Sequence, residues 1–423
     1  MLCLDVVQII CDFCDLKTQI NLISSCKEYD EYLKIRKLNC SDEIGYNINQ
    51  EIIKQTKFNK LHILYANNNR KITDVNHLQN TLTELSSWCI CGIDQKGISE
   101  LKVLRKLYAS NNNKITDVNH LQNTLIELDC RFDCGIDQKG ISNLKVLQKL
   151  NACHNSKITD VNHLQNTLTE LDCRFDCGID QKGISNLKIL QKLDAGGNNK
   201  ITDVNHLQNT LTELDCNRNS GIDQKGISNL KVLQKLDAYN NDKITDVNHL
   251  QNTLTELECC SFNCGIDQKG ISNLKVLQKL EAHDNNKITD VNHLQNTLIE
   301  LNCSWNCGID QKGISNLTKL QKLDASCNNK ITDVNHLRHI LTELNCSQNS
   351  GIDQKGISGL RVLQELVAYN NHKITGVNHL RKTLIVLDCR GDCRIKPQTI
   401  PNLKVLQKLN GRDYKKKKIT KRR

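Results

Sequence analysis

Proline is nearly missing from this chain: Pro397 and Pro401 are the only two in 423 residues. Aromatic residues make up 4% and hydrophobic residues 38%, which suits a core shaped as a narrow column better than a sphere. No run of about 18 apolar residues occurs, so no membrane-spanning helix is expected. Residues 1–15 carry Asp5, Asp12 and Asp15 without a basic n-region, so no signal peptide is expected either. There is no phosphate-binding loop, dinucleotide fingerprint, Gly-x-Ser-x-Gly elbow or His-Glu-x-x-His pair. The expectation is a protein that is not an enzyme and needs no cofactor or metal. The net charge of +10 is unevenly placed. Residues 412–423 hold eight Lys or Arg and one Asp, which leaves the rest nearly neutral and argues against nucleic-acid binding by the body of the chain.

What is abundant is repetition. The stretch Lys200-Ile201-Thr202-Asp203-Val204-Asn205-His206-Leu207 also starts at Lys71, Lys114, Lys157, Lys243, Lys287 and Lys330, with a near copy at Lys373 where Gly376 replaces the Asp. The spacing is 43 residues, with one step of 44, the mark of a repeat array. Each unit halves into Leu125-Ile126-Glu127-Leu128-Asp129-Cys130 and Leu147-Gln148-Lys149-Leu150-Asn151-Ala152. First leucines run from Leu61 through Leu82, Leu104 and Leu125 to Leu406, seventeen in all. This wording resembles the leucine-rich-repeat (LRR) family over residues 61–410, with Cys or Ala where a third Leu is usual. The resemblance implies an α/β solenoid: a horseshoe with a parallel concave β-sheet and an irregular or 3₁₀ convex side.

Within a repeat, the alternating segment predicts one short strand, and the turn-rich return predicts a 3₁₀ or irregular path. The polar residue at the ninth position (Asn155, Asn198, Asn219, Asn241, Asn263) is expected to bond backbone groups where the strand turns away. Outward strand positions alternate Glu127, Lys149, Glu170, Lys192, Glu213 and Lys235, a ladder of exposed pairs worth ~0–1 kcal/mol each. The next outward position is mostly acidic. Most of the twenty-two cysteines recur in two columns. Cys130, Cys173 and Cys216 alternate with Ala, and Cys134 and Cys177 give way to Ser220 and Ser350. Such swaps fit small buried thiols in a reducing compartment, not disulfides or zinc ligands.

Residues 1–40 do not repeat. Leu4, Val7, Ile10 and Cys14 recur at helical spacing, and three helices are expected, roughly over 4–14, 18–26 and 28–37. The Leu4-to-Phe13 amphipathic stretch, the Asp15-Leu16 turn, the Leu22-Ile23 pair and Cys26-Lys27 followed by an aromatic together resemble the F-box. The usual Leu-Pro start and the Trp of the third helix are missing. The resemblance implies docking of a Skp1-like protein through Leu4, Val7, Ile10, Phe13, Leu16 and Leu22. The alternative is a plain helical cap on the solenoid. Residues 41–60 are expected to be a junction. The Asn-, Ile- and Lys-rich wording as a whole resembles F-box/LRR proteins encoded by giant amoeba-infecting DNA viruses.

Repeats differ from one another just after the strand. Trp88, Arg131, Phe132, Arg174, Phe175, Arg218, Tyr239, Phe262, Trp305 and Tyr369 lie there, with Tyr65 and Tyr108 on nearby outward strand positions. Aromatic and Arg side chains dominate binding hot spots, so these residues are the candidate target-binding set on the concave face; neutral drift among duplicated repeats is the rival account. The resemblances together imply the substrate-recognition adaptor of a Skp1–cullin–F-box ubiquitin ligase, with a Skp1-like protein and an unknown target as partners and no membrane. The alternative is a non-catalytic LRR scaffold or decoy that binds a host protein without a ubiquitin link. The expected location is intracellular, in the cytoplasm. The tail from 411 to 423, expected to be disordered, is a candidate nuclear address or RNA-touching arm, or only a solubilising tail.

Overall fold

The segment Leu-x-Glu/Lys-Leu-x-Cys/Ala turns one leucine inward between two outward side chains, the pattern of a short half-buried strand. A computed structural model describes residues 3–41 and 45–411. In it each such segment is a three-residue strand, and the chain divides into two units, Met1–Thr202 and Asp203–Arg423.

The first unit holds β1 (Lys37–Asn39), β2 (Ile63–Tyr65), β3 (Glu84–Ser86), β4 (Lys106–Tyr108), β5 (Glu127–Asp129), β6 (Lys149–Asn151), β7 (Glu170–Asp172) and β8 (Lys192–Asp194). Consecutive strands pair in parallel, with leucine opposite leucine, as Leu128 faces Leu150. The second unit holds β9 (Glu213–Asp215), β10 (Lys235–Asp237), β11 (Glu256–Glu258), β12 (Lys279–Glu281), β13 (Glu300–Asn302), β14 (Lys322–Asp324), β15 (Glu343–Asn345), β16 (Glu365–Val367), β17 (Val386–Asp388) and β18 (Lys408–Asn410). These too pair in parallel in chain order. One parallel strand per repeat of 21 or 22 residues is the leucine-rich-repeat fold expected from the sequence.

The return side alternates between two forms. Asn-His-Leu makes a 3₁₀ turn, as at Asn119–Leu121. Gln-Lys-Gly-Ile makes a single α-turn, as at Gln138–Ile141, where an irregular path was expected. The Asp before it explains the turn: the Asp137 carboxylate accepts from the Gly140 N–H at 3.0 Å, an N-cap. Gly140 is required because a Cβ there would lie 2.2 Å from the Thr116 carbonyl oxygen of the preceding repeat.

Leucine, isoleucine, valine, alanine and cysteine fill the column between strands and return, with Leu125, Leu128, Cys130, Cys134, Ile136 and Ile141 all buried. All twenty-two cysteines are free. The Cys130 thiol donates to the Asn151 carbonyl at 3.5 Å, and burial pushes it well above its ordinary pKa. It therefore behaves as packing material.

A buried asparagine ties each alternate repeat to the one before. Asn155 donates to the Cys130 and Ile136 carbonyls and accepts from the Lys157 N–H. Asn198, Asn241, Asn285 and Asn328 do the same in their repeats. Asn219 and Asn263 do not: both are exposed. After Asn219 the next position, Ser220, turns inward instead; Asn263 stands one place later, at the tenth position, because its repeat carries the extra Cys260, and Cys264 after it turns inward.

The N-terminal segment differs from expectation in one respect. Its helices are α1 (Leu4–Asp12), α2 (Leu16–Ile23) and α3 (Lys27–Tyr32), but α3 stops well before residue 37. Beyond it Ile35-Arg36-Lys37-Leu38-Asn39-Cys40 has the wording of a repeat and forms β1, pairing Lys37 with Ile63. Part of the expected junction is that repeat's return, with a one-turn helix at Gln50–Ile53 capped by Asn49. The 26 residues from Ile35 to Leu61 hide it from a search at a period of 21 or 22. The basic segment 412–423, and with it the expected disordered tail and nuclear or RNA-touching role, lies outside the described residues.

Candidate protein-interaction surfaces

The repeated histidines are used up by the scaffold. His120 Nε2 donates to the Ile98 carbonyl at 3.0 Å and His163 to Ile141 at 3.1 Å. His249, His293, His336 and His379 repeat this bond. Burial, only partly opposed by that bond, lowers the pKa of each below the usual histidine range. Among the described residues no three His, Cys, Asp or Glu are grouped as a metal ion would need.

The informative place is the eighth position of the repeat, counted from its first leucine. From Asn68 to Gly391 the backbone there is left-handed in every repeat. Asn, Asp and Gly accept this conformation easily, whereas other L-residues are strained by about 1–2 kcal/mol. Asn68, Asn111, Asn240, Asp284, Asn370, Gly197 and Gly391 are the low-strain choices. Phe132, His154, Phe175, Arg218 and Trp305 are not, yet they stand there with φ between 56° and 58°, as Cys89, Ser261, Cys327 and Gln348 also do with φ from 57° to 90°.

In the first unit three of these strained residues are consecutive and build a stack. The His154 ring lies between Phe132, at 5.5 Å and 16°, and Phe175, at 4.7 Å and 8°. Gly197 occupies the next eighth position, where a Cβ would come within 2.8 Å of the Phe175 ring. Arg131 forks onto Asp129 at 2.8 Å and lies 5.9 Å from the Phe132 ring. Arg174 bridges Asp172 and Asp194 at 2.7 and 2.9 Å. These guanidiniums are already paired with strand carboxylates, so they border the stack without free charge. Tyr65 and Tyr108 donate their hydroxyls to Glu84 and Glu127 on the next strand. Burial, and then the Glu84 bond, pushes the Tyr65 phenol up to about 12. Trp88 is exposed.

In the second unit the predicted residues are scattered. Phe262, Trp305 and Tyr369 are exposed, and Arg218 is exposed at its eighth position. Tyr239 is tilted against His283 at 6.4 Å. Arg390 forks onto Asp388 and lies 5.6 Å from the Tyr369 ring. Phe262 falls at the ninth position because its repeat has one more residue, Cys260, than its counterparts.

The strand face carries the expected charge ladder. Lys106–Glu127, Lys149–Glu170 and Lys235–Glu256 pair across neighbouring strands at 3.3, 2.9 and 3.0 Å. Lys322 bridges Glu300 and Glu343 at 3.4 Å each. The two units differ in balance. Outward strand positions of the first unit carry four lysines against Glu84, Glu127, Glu170, Asp129, Asp172 and Asp194. Those of the second carry four lysines against Glu213, Glu256, Glu300, Glu343, Glu365, Asp215, Asp237, Glu258, Glu281, Asp324 and Asp388.

At the N-terminus, α1 is two-faced. Val7 and Cys11 are buried, and Gln8 exchanges two hydrogen bonds with the Lys34 backbone at 2.9 and 2.8 Å. Val7 is therefore core and cannot belong to an exposed docking face. Ile10 and Phe13 are exposed, Phe13 by 88%. Leu4, Leu16 and Leu22 are half-buried. Val6 and Ile9, not in the expected set, are also exposed. Val6, Ile9, Ile10 and Phe13 follow the i, i+3, i+4, i+7 spacing of one helix face. That spacing, one residue out of phase with the Leu4–Val7 pairing, was the available signal. Among the described residues no helix is long and apolar enough to cross a membrane.

No family model matches the chain, and no curated protein matches it. Solved structures do. A functional domain of InlJ from Listeria monocytogenes, which includes a cysteine ladder, is 21% identical, with 78% of this chain and 74% of that one covered and a TM-score of 0.39. The internalin inlF of the same organism is 19% identical, covering 87% and 90%, with a TM-score of 0.41. The yeast Rad7 and Elc1 complex is 18% identical, covering 66% and 84%, also at 0.41. TM-scores this low carry no inference about function.

Proposed function

We propose that this protein is a non-catalytic interaction protein that binds a target protein through the side chains just beyond its strands. The observation that carries this is the left-handed eighth position, where Phe132, His154, Phe175 and Trp305 stand in place of the lower-strain Asn or Gly. Strain kept in several repeats is best explained by what the side chains contact. The finer reading makes it an adaptor whose outer α1 face docks a Skp1-like subunit while the repeats hold the target for ubiquitin transfer. The exposed Val6, Ile9, Ile10 and Phe13 face supports that reading, because an apolar stripe in water is a docking feature. The bonds from Gln8 to Lys34 support the simpler alternative, in which α1 only caps a scaffold or decoy. A pull-down of a Skp1 homologue with the full chain separates the two. The adaptor reading expects capture by the wild type and loss with Ile10→Asp/Phe13→Asp, which leaves the buried face intact. No capture by folded wild type would reduce α1 to a cap.

A further inference from the structure

The alternation of Lys and Glu along the first outward row stops at β16. From β4 to β14 every alternate repeat reads Gln-Lys-Leu or Arg-Lys-Leu, but here the chain reads Gln364-Glu365-Leu366. Register places Glu365 directly beside Glu343, a like-charge pair on neighbouring strands, which is destabilising in isolation. Lys322 reaches Glu343 and Glu300, while the Glu365 carboxylate has no partner among the described residues. Around this break lies a groove of ≈ 330 Å³ on the strand face from β12 to β16, lined by Glu281, Glu300, Asp324, Glu343 and Glu365, with Lys322 the one cation among its described lining residues.

The complementary charge lies in the same chain. Residues 412–423 contain Arg412, the run Lys415 to Lys418, and Lys421-Arg422-Arg423, against a single Asp413. They follow β18, which ends at Asn410. Parallel strands lie ~4.8 Å apart, so the groove begins roughly 10 Å from β18 and ends roughly 29 Å away. Twelve extended residues reach up to roughly 40 Å. We propose that the basic segment Arg412–Arg423 docks in the acidic groove of its own second unit, its lysines meeting Glu343 and Glu365. A basic peptide from a partner would then have to displace it. This inference does not depend on the target-binding reading above.

The consequence is an intramolecular competitor. A tethered segment acts at an effective concentration that a free peptide must exceed, which weakens the outside peptide by at least ~10-fold. The test uses the full chain and a labelled synthetic peptide of residues 412–423, with binding read by fluorescence anisotropy at low salt. A full-length variant with Lys415 to Lys418 replaced by Gln should bind the peptide at least ~10-fold more tightly than wild type. Adding Glu343→Lys/Glu365→Lys to that variant should abolish binding. Glu365→Lys restores the residue type of the other repeats, so the fold is retained. Added salt should weaken the peptide steeply, because the exposed charges are screened. Equal affinity for wild type and the Gln variant, no binding by either, or binding insensitive to Glu343→Lys/Glu365→Lys would each overturn the proposal.

Discussion

In the first unit, consecutive eighth positions hold Phe132, His154 and Phe175, and their rings stack. In the second, Trp305 stands at the same backbone position with Asp284 before it and Cys327 after it, and the strand face is dominated by carboxylates. The backbone beneath is the same in both: parallel three-residue strands, Asp-capped turns and buried asparagines. A scaffold whose repeats are held by backbone and small buried side chains leaves a few positions free to vary. The first unit spends that freedom on aromatic surface and the second on negative charge.

If the scaffold is truly shared, damage to it should be equal in both units. Leu150→Ala and Leu323→Ala each remove a buried strand leucine and should destabilise their repeats by about 2–5 kcal/mol, as read by urea unfolding. A large difference would break the comparison. Asn198→Ala and Asn328→Ala each leave two carbonyls and an N–H without the amide that serves them. Each should lose roughly 1–3 kcal/mol, again alike.

Acid should also act on both units. His163 and His336 are held neutral, with pKa values lowered chiefly by burial. A lowered folded pKa means the unfolded chain takes up the proton first. The stabilisation is therefore complete above the ordinary histidine value and is lost as pH falls through it toward the lowered one. Urea midpoints should drop between pH 7 and 5, and His163→Gln or His336→Gln should flatten that drop. A midpoint unchanged by acid would contradict the burial of these imidazoles in their neutral form.

The smallest effect sharpens the contrast most. Trp305→Asn relieves left-handed strain without breaking a ring stack and should stabilise by about 1 kcal/mol. Phe175→Asn gains the same relief but loses the His154 contact, so its net change should be closer to zero. Both should weaken target binding if these side chains are the contact surface. Equal stabilisation by the two would mean that the stack contributes nothing.

The expected docking set on α1 shows where reading from the sequence ran short. Leu4, Val7 and Ile10 share a spacing, but only the fold decides that Val7 is buried, as Ile23, Leu33 and Ile35 are, while Ile10 is exposed. The charge ladder was legible because strand neighbours are fixed once the period is known. The pairing of Lys279 with Glu281 on its own strand at 3.3 Å, and not across strands, was not.

By itself the sequence determined the period, the strands from Ile63 onward, the leucine and cysteine columns and the alternating charges. Each of these depends only on which residue recurs at which offset. The tertiary structure alone decided that β1 joins the array, that Asn219 and Asn263 stay outside, and that Phe132, His154 and Phe175 meet as one stack. Those outcomes depend on backbone handedness and on side chains roughly twenty residues apart being brought about 5 Å from one another, which no local pattern contains.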